Sequence, residues 1–311
     1  MTNHVTNALL GLAVGDAVGV PHEFKRREIL KANPATDMDE FGSHRMPKGV
    51  WSDDTSLSLC LAESLLSGFN INDIAKSFIS WLYYNHWTAT GSVFDVGFTT
   101  RDSIDRLKEG VSPLISGGLF EDTNGNGSLM RILPLIFFIK DKPIAERYEY
   151  VKQVSSITHG HIRSVIACFY YTEFALQLLQ GIPAIDAYNA NKTSVTSFLT
   201  QLEINPDEIA FFSRLLNDNI HLLEEDEISS SGYVLHTLEA AMWCLLTSSS
   251  YKETTLKAVN LGEDTDTTAA VAGGLAGLLY TANEIPADWL AQLKRKDDII
   301  TLCEELSQVY N

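Results

Sequence analysis

The sequence LGEDTDTT, residues 261–268, stands directly before a small apolar run at residues 269–280. That run has the length and composition of a helix, so its first turn contains two carboxylates, Asp264 and Asp266. Asp and Thr at a helix start commonly accept hydrogen bonds from the first unpaired backbone N–H groups. An N-cap is therefore the simplest interpretation of these side chains.

A second cluster of the same kind, SDDT at residues 52–55, precedes another run with helical apolar periodicity. One cap needs only one side chain, and adjacent carboxylates repel each other unless a positive charge lies between them. If the two helix starts meet in space, four carboxylates and neighbouring hydroxyls form an all-oxygen site suited to hard divalent cations. The convergence of these two clusters is the central hypothesis.

The composition indicates a globular protein with a substantial core, since 45% of the 311 residues are hydrophobic and the mean hydropathy is −0.01. No apolar run reaches the roughly 18 residues of a membrane helix, and the N-terminus lacks the basic region of a signal peptide. A net charge of −17 disfavours non-specific binding to nucleic acid or to an anionic membrane. The four cysteines show no metal-binding spacing, so we expect buried reduced thiols and a cytoplasmic location.

Two stripes of small residues predict a close helix pair. Gly11, Gly15 and Gly19 recur every four residues in a helical pattern, and the run after residue 268 offers Ala269, Gly273 and Gly277. A glycine inside a helix costs about 1 kcal/mol relative to alanine, so close packing has to compensate. We therefore expect these two helices to touch and to bring the terminal regions together.

The remaining patterns predict an all-α fold, a compact bundle of helices in a single domain over residues 1–311. Residues 21–50 contain several prolines and glycines and indicate a loop, whose length suggests a functional role. Pro134 should kink the helix that contains it. Helical periodicity is expected at residues 6–18, 54–67, 71–85, 98–109, 127–140, 144–157, 161–180, 184–191, 206–217, 233–247, 251–260, 268–281, 287–295 and 297–309.

Three further stretches carry polar groups at helix starts: NGNGS at residues 124–128, THGH at 158–161 and FDVG at 94–97. The first could hold a phosphate on free backbone N–H groups, with Arg131 nearby, although an ordinary Asn-Gly turn explains it equally well. The histidine pair and Asp95 each have a simple capping interpretation, and Glu23 on its own indicates a solvated surface carboxylate. The number of polar helix starts in the sequence suggests one cleft lined by helix N-termini.

Several of these motifs follow one another in an order that carries a family resemblance. They are GLAVGDAVG at residues 11–19, Glu23, WSDDTSL at 51–57, FDVG at 94–97, residues 124–134, TH at 158–159, GYV at 232–234, TLEAA at 237–241 and residues 262–277. Taken together, from about residue 8 to 290, the chain resembles the ADP-ribosylglycohydrolase family. This group is related to dinitrogenase reductase-activating glycohydrolase and to the vertebrate ADP-ribosyl-acceptor hydrolases.

The resemblance implies a compact orthogonal α-helical bundle with two Mg²⁺ or Mn²⁺ ions at the bottom of a cleft. The implied catalytic residues are Glu23 and Asp95. The implied metal ligands are Ser52, Asp53, Asp54, Asp264, Asp266 and Thr267. The implied substrate contacts are Asn126, Gly127, Ser128, Leu129 and Met130, with His159 and Tyr233 near the nucleotide.

Three positions depart from the usual form of the family. Ser52 stands where many members have threonine and keeps the hydroxyl. Glu263 replaces a frequent glycine, and His236 stands where several relatives have aspartate. The last two could tune specificity and leave the identity of the acceptor open.

The expected activity is metal-dependent hydrolysis of the bond between ADP-ribose and a modified acceptor, arginine being the first candidate. The substrate would be an ADP-ribosylated protein or a small ADP-ribose conjugate, with nucleic acid involved only if it carries the modification. Serine- or nucleic-acid-linked ADP-ribose, O-acetyl-ADP-ribose and ADP-ribose-1″-phosphate are alternative substrates. A non-catalytic reader of ADP-ribose or a structural protein on the same scaffold is the competing class, since a fold does not guarantee activity.

Overall fold

The computed structural model of the chain describes residues 3–310, and in this range it contains sixteen α-helices and no β-strand. The all-α prediction is therefore confirmed. The helices are α1 His4–Gly19, α2 Arg27–Ala32, α3 Asp53–Leu65, α4 Ile71–Tyr84, α5 Phe98–Lys108, α6 Leu135–Ile139, α7 Ile144–Ser156, α8 Ile162–Leu179, α9 Ala184–Gln201, α10 Pro206–Ala210, α11 Ser213–Leu216, α12 Val234–Leu246, α13 Tyr251–Asn260, α14 Thr265–Tyr280, α15 Ala287–Gln292 and α16 Lys296–Tyr310.

The fold is built around the pair α1 and α14, which pack closely through the two small-residue stripes. A side chain on Gly11 would overlap the backbone of Gly273, and one on Gly15 would overlap the carbonyl oxygen of Ala269. Gly19 in turn lies against the backbone of Asp266. The predicted contact is confirmed, and it brings the C-terminal end of α1 to the N-terminal turn of α14.

Both helices lie almost entirely inside the protein, because other helices cover their remaining faces. Around them pack α3, α8, α12, α13 and α16. Buried apolar side chains form a continuous cluster that extends from Val5 to Leu306. A single domain over residues 1–311 remains a prediction, which this continuous core supports. No helix within residues 3–310 is long and apolar enough to cross a membrane.

The structure corrects several predicted elements. The stretch at 127–140 is not one kinked helix: a 3₁₀ turn at Asn126–Ser128 is followed by turns, and α6 begins only after Pro134. Proline has no N–H to donate and disfavours helical geometry in the residue before it, so it starts this helix. Helix α9 extends ten residues beyond the predicted end at 191, and the pattern at 206–217 is divided between α10 and α11.

The expected loop at 21–50 contains a helix that sequence patterns missed, α2. Its Arg27 guanidinium donates to the carbonyl oxygens of Leu261 and Glu225, at 2.8 Å each, and to that of Ile228. These partners lie 198 to 234 residues away in the chain. The anchor holds the segment after α1 against the segment before α14, beside the two acidic helix starts.

Candidate active site

Asp16 organises the start of α3 from the neighbouring helix α1. Its buried carboxylate accepts hydrogen bonds from the backbone N–H groups of Ser52 and Thr55, at 2.9 and 3.0 Å, and from the Thr55 hydroxyl at 2.6 Å. Sequence reasoning quoted Asp16 within a motif but gave it no role. The available signal was its position as the only carboxylate in an otherwise apolar helix.

The two acidic clusters meet next to this contact. One carboxylate oxygen from each of Asp16, Asp54 and Asp266 lies within 4.8 Å of the others, and the same holds for Glu23, Asp264 and Asp266. Asp266 belongs to both groups, so the groups form one continuous cluster. Carboxylates from helix starts more than 200 residues apart therefore share one small volume, as the central hypothesis requires.

The hydroxyls expected in the site also contact this cluster. Ser52 Oγ donates to Asp54 Oδ2 at 2.9 Å, and Thr267 Oγ1 donates to the same oxygen at 3.3 Å. Asp53 lines the open cleft in front of the cluster, together with Thr267 and Asp264. The metal-ligand roles of these residues remain predictions.

Several carboxylate oxygens of the cluster are buried without a hydrogen-bond partner: Asp54 Oδ1, Asp264 Oδ1 and both oxygens of Asp266. Burial raises the pKa of Asp16 to about 6, and burial together with neighbouring carboxylates raises the pKa of Asp54 and Asp266 well above the usual range. Unpaired buried charges of like sign are strongly unfavourable. The arrangement therefore demands protons or cations.

The capping interpretation holds for one cluster and fails for the other. Ser52 caps α3, because its Oγ accepts from the Asp54 N–H at 3.3 Å. Asp264 occupies the N-cap position of α14 without a capping hydrogen bond, and its Oδ2 instead accepts from the Asn126 amide at 2.9 Å. Capping thus leaves the carboxylates of Asp264 and Asp266 unexplained.

Glu23 is only 5% exposed, so its interpretation as a solvated surface residue was wrong. Backbone hydrogen bonds join the next residues to the start of α14: Phe24 N–H donates to Glu263 O at 2.6 Å, and Glu263 N–H donates to Lys25 O at 2.7 Å. The Glu23 carboxylate accepts from His44 Nε2, a contact that raises the pKa of His44. Burial raises the pKa of Glu23 to about 8, and Asp95 and Asp264 add to the effect.

A cleft of about 260 Å³ opens over the carboxylates. Glu23, Asp53 and Asp264 form its acidic part together with Asp95, which is half-buried. Asp95 adopts a φ of 53°, a left-handed conformation that is uncommon for residues other than glycine and concentrates at functional sites. The cleft thus places both candidate catalytic carboxylates beside the cluster.

The glycine-rich loop forms a further wall of the cleft through Gly125, Asn126 and Gly127. Its N–H groups are not all free, because Asn126 N–H donates to Gly232 O at 3.0 Å. Arg131 lies fully buried beneath the loop and donates to Gly127 O, so it supports the loop and does not reach into the cleft. Phosphate binding by this loop remains a prediction.

The other expected substrate contacts divide into two groups. Met130 and His159 line the cleft. Burial and the nearby Arg131 lower the pKa of His159 to about 3, so its imidazole is neutral. Within the part of the chain that the structure describes, Ser128, Leu129 and Tyr233 do not line the cleft; the first two are buried behind it.

Glu263 and His236 lie in a neighbouring pocket together with Arg27 and Ser231. Glu263 has a φ of 61°, a conformation that glycine adopts without strain. His236 Nδ1 lies 2.7 Å from Ser231 Oγ. Both side chains are therefore separated from the carboxylate cluster, and Glu263 does not add a ligand there.

The donor set fits hard divalent cations. All groups at the centre of the cluster are carboxylate or hydroxyl oxygens, the ligands that Mg²⁺ and Mn²⁺ prefer. The unpaired buried oxygens of Asp54, Asp264 and Asp266 supply negative charge that such ions would neutralise. Asp266 contributes to both groups of the cluster and would help to hold a cation in either.

Comparison with known proteins assigns the chain to a family. The model of the family described as ADP-ribosylglycohydrolase matches residues 1–311. The chain belongs to the ADP-ribosylglycohydrolase family. The resemblance predicted from the sequence is confirmed, and with it the enzyme class.

Two relatives of the chain and one solved structure have names that refer to hydrolysis of ADP-ribose conjugates. The chain is 35% identical to the ADP-ribosylarginine hydrolase Tri1 of Pseudomonas putida (strain GB-1), over 96% of this chain and 76% of that protein. It is 30% identical to the ADP-ribosyl-[dinitrogen reductase] glycohydrolase of Rhodospirillum rubrum, over 93% and 90%. A solved structure titled "ADP-ribosylglycohydrolase-related protein complex" matches with a TM-score of 0.82 and 30% identity, covering 99% and 98%.

The carboxylate cluster should make the stability of this ADP-ribosylglycohydrolase depend on pH and cations in a defined direction. Because the folded-state pKa values of Asp16 and Glu23 are raised to about 6 and about 8, the folded protein binds more protons than the unfolded chain. The resulting stability is present at low pH and is lost as the pH rises through these values. Divalent cations should replace the protons.

We therefore expect the increase in melting temperature on adding Mn²⁺ after EDTA treatment to grow between about pH 5 and about pH 8. Thermal unfolding measured by circular dichroism across this range tests it. A cation effect that is absent, or of equal size at both ends, would contradict the site.

Proposed function

We propose that this chain is a cation-dependent hydrolase that releases ADP-ribose from modified arginine side chains of proteins. The observation that carries the proposal is the meeting of α3 and α14, which buries unpaired carboxylate oxygens of Asp54, Asp264 and Asp266 beneath an open cleft. Two relatives with arginine- and dinitrogen reductase-directed names support the acceptor class.

Six residues would hold two Mg²⁺ or Mn²⁺ ions. Such ions polarise a water and bind sugar hydroxyls, which is the chemistry they supply to hydrolases. The chain's own contribution is the fixed position of the donors, since Asp16 orders the start of α3 and the α1–α14 contact orders the start of α14. The proposed ligands are Ser52, Asp53, Asp54, Asp264, Asp266 and Thr267.

Glu23 is proposed to transfer protons in the reaction, and Asp95 is proposed to bind the acceptor. Glu23 is a buried carboxyl that lines the cleft and is hydrogen-bonded to His44, a position that suits a general acid or base in cleaving a glycosidic bond. Asp95 lines the cleft, where a carboxylate can accept paired hydrogen bonds from a guanidinium group. The ribose would lie against both carboxylates, on the open side of the cleft.

The wall formed by Gly125, Asn126 and Gly127 is proposed to receive the diphosphate. The absence of side chains at the two glycines lets an anion approach the backbone closely. A methyl group at Gly127 would collide with the His159 ring and the Thr100 hydroxyl, at 2.8 Å each. His159 and Met130 extend this wall. Ser128 and Leu129, which are fully buried, would support this wall without touching the substrate, and Tyr233 would act through the loop that it adjoins.

Two finer assignments belong to the same proposal. We keep the cytoplasm as the expected location, because the four cysteines are buried as free thiols. Either Mg²⁺ or Mn²⁺ would suit the site, since both accept oxygen ligands.

A substrate panel tests the proposed function. The purified protein is incubated with arginine-, serine- and DNA-linked ADP-ribose, with Mg²⁺ or Mn²⁺ and with EDTA, and free ADP-ribose is measured. We expect release from the arginine conjugate, abolished by EDTA. Release only from another conjugate would refute the arginine assignment. Binding of ADP-ribose without release from any conjugate would favour a non-catalytic reader.

A further inference from the structure

A short segment of the long loop, residues 41–46, lies directly over Glu23. Its ends are joined by a bridge between Phe41 and Met46, and Ser43 N–H donates to Pro21 O at 3.2 Å. The Ser43 hydroxyl donates to the Glu23 carbonyl oxygen. Gly42 packs so closely on Pro21 that a side chain there would overlap its backbone. The segment is therefore fastened to the chain that carries Glu23.

His44, in the middle of this segment, connects the two candidate catalytic carboxylates. Its Nε2 donates to Glu23 Oε2, and its ring packs between Phe24 and Phe94 at centroid distances of 5.7 and 5.3 Å. One ligand atom each of Glu23, His44 and Asp95 lie within 4.8 Å of one another. The imidazole thus contacts Glu23 directly, packs on Phe94 next to Asp95, and lies close to the Asp95 carboxylate.

The backbone near these carboxylates needs such support. Phe24, Arg45 and Asp95 have φ values of 64°, 55° and 53°, conformations that persist only when surrounding contacts hold them. Glu23 also follows the end of a helix and has three rotatable side-chain bonds. A small displacement of a catalytic group can reduce a rate on the order of 100-fold, so a fixed carboxylate is valuable.

We propose that His44 is a positioning residue for catalysis: it fixes one oxygen of Glu23 through Nε2 and holds the Glu23 and Asp95 segments together through its ring. This inference rests on the proposed glycohydrolase function. It assigns no direct contact between His44 and the substrate. Its consequence is that the hydrogen bond and the ring packing act on turnover, while binding of ADP-ribose and of cations stays with other residues.

Two variants separate the hydrogen bond from the packing. His44→Phe keeps an aromatic ring between Phe24 and Phe94 but removes the donor, whereas His44→Gln keeps an N–H donor and removes the ring. We expect His44→Phe to lower kcat by on the order of 10- to 100-fold, with KM, ADP-ribose affinity and Mn²⁺ affinity unchanged. His44→Gln should recover only the part of the lost kcat that the hydrogen bond supplies, because it lacks the ring.

A matched control exists outside the cleft, where His86 Nε2 forms the same kind of pair with Glu63 Oε2 at 2.6 Å and packs on Trp87. His86→Phe should leave kcat unchanged. The measurements are steady-state kinetics on ADP-ribosyl-arginine and calorimetric titration with ADP-ribose and with Mn²⁺.

Wild-type kcat in His44→Phe would overturn the positioning role. Equal losses of kcat and ADP-ribose affinity without rescue in His44→Gln would also overturn it, by indicating a general structural role. A wild-type protein that releases no ADP-ribose from any substrate would refute the proposed function itself. That result is distinct, because it is read from the unmodified protein.

Discussion

Asp266→Asn should reduce kcat for release of ADP-ribose by at least about a thousandfold while leaving the protein as stable as the wild type, or more stable, in EDTA. The change keeps the shape of the side chain and removes one charge. Both Asp266 oxygens are buried without a hydrogen-bond partner, so the lost charge stabilises nothing within the described structure. A carboxylate kept for folding alone would show the opposite pattern.

The comparison uses steady-state kinetics and thermal unfolding in EDTA, with Asp186→Asn as the control. Asp186 also lies in the first turn of a helix but is exposed, so it reproduces the effect on the helix dipole without the cluster. The control should leave kcat unchanged. Retained turnover in Asp266→Asn would refute the assignment of this carboxylate.

Gly15→Ala should lower the free energy of unfolding by about 3 kcal/mol or more, or prevent folding. Helix propensity alone predicts the opposite, a stabilisation of about 1 kcal/mol, so the sign of the effect is informative. The new methyl group would overlap the Ala269 carbonyl oxygen and would lie 2.8 Å from its carbonyl carbon. These are backbone atoms of α14, which cannot move aside as a flexible side chain could.

Gly97→Ala is the matched control, because a methyl group there meets only the Thr100 hydroxyl, at an ordinary 3.8 Å. Urea unfolding of both variants gives the comparison. If Gly15→Ala were more stable than the wild type, the close contact between α1 and α14 would be wrong. The cluster would then lose the contact that holds the start of α14 in place.

The sequence predicted the framework because its signals are local and periodic. The spacing of Gly11, Gly15 and Gly19 defines one side of a helix at any position in the fold, and the matching stripe at Ala269, Gly273 and Gly277 provides its partner. Once the helices are placed, the polar groups at their starts are placed with them. The convergence of the two acidic clusters could therefore be predicted from the sequence.

Sequence patterns could not predict the burial of Glu23 or the contacts of Asp16 and His44. The burial of Glu23 depends on residues 41–46 folding back over it, a contact that no periodicity reports. Asp16 binds N–H groups 36 and 39 residues away, so its role becomes visible only when α1 meets α3. His44 lies in a segment with several left-handed residues, which carries no helix or strand signal.

Helix α2 was not predicted for the same reason. Its six residues are too few to show a pattern, and its anchor is the side chain of Arg27 on carbonyl oxygens near residues 225–261. Isolated helices of this length are unstable in water, so tertiary contacts alone make it. The boundary at Pro134 was misjudged for a different reason, because proline can either kink a helix or start one.

The most direct test of the account is a crystal of the protein grown with Mn²⁺, examined for anomalous scattering. Two peaks between residues 52–54 and residues 264–267, within bonding distance of Asp54 and Asp266, are the predicted result. A map without a peak between these helix starts, at a Mn²⁺ concentration that supports turnover, would contradict it.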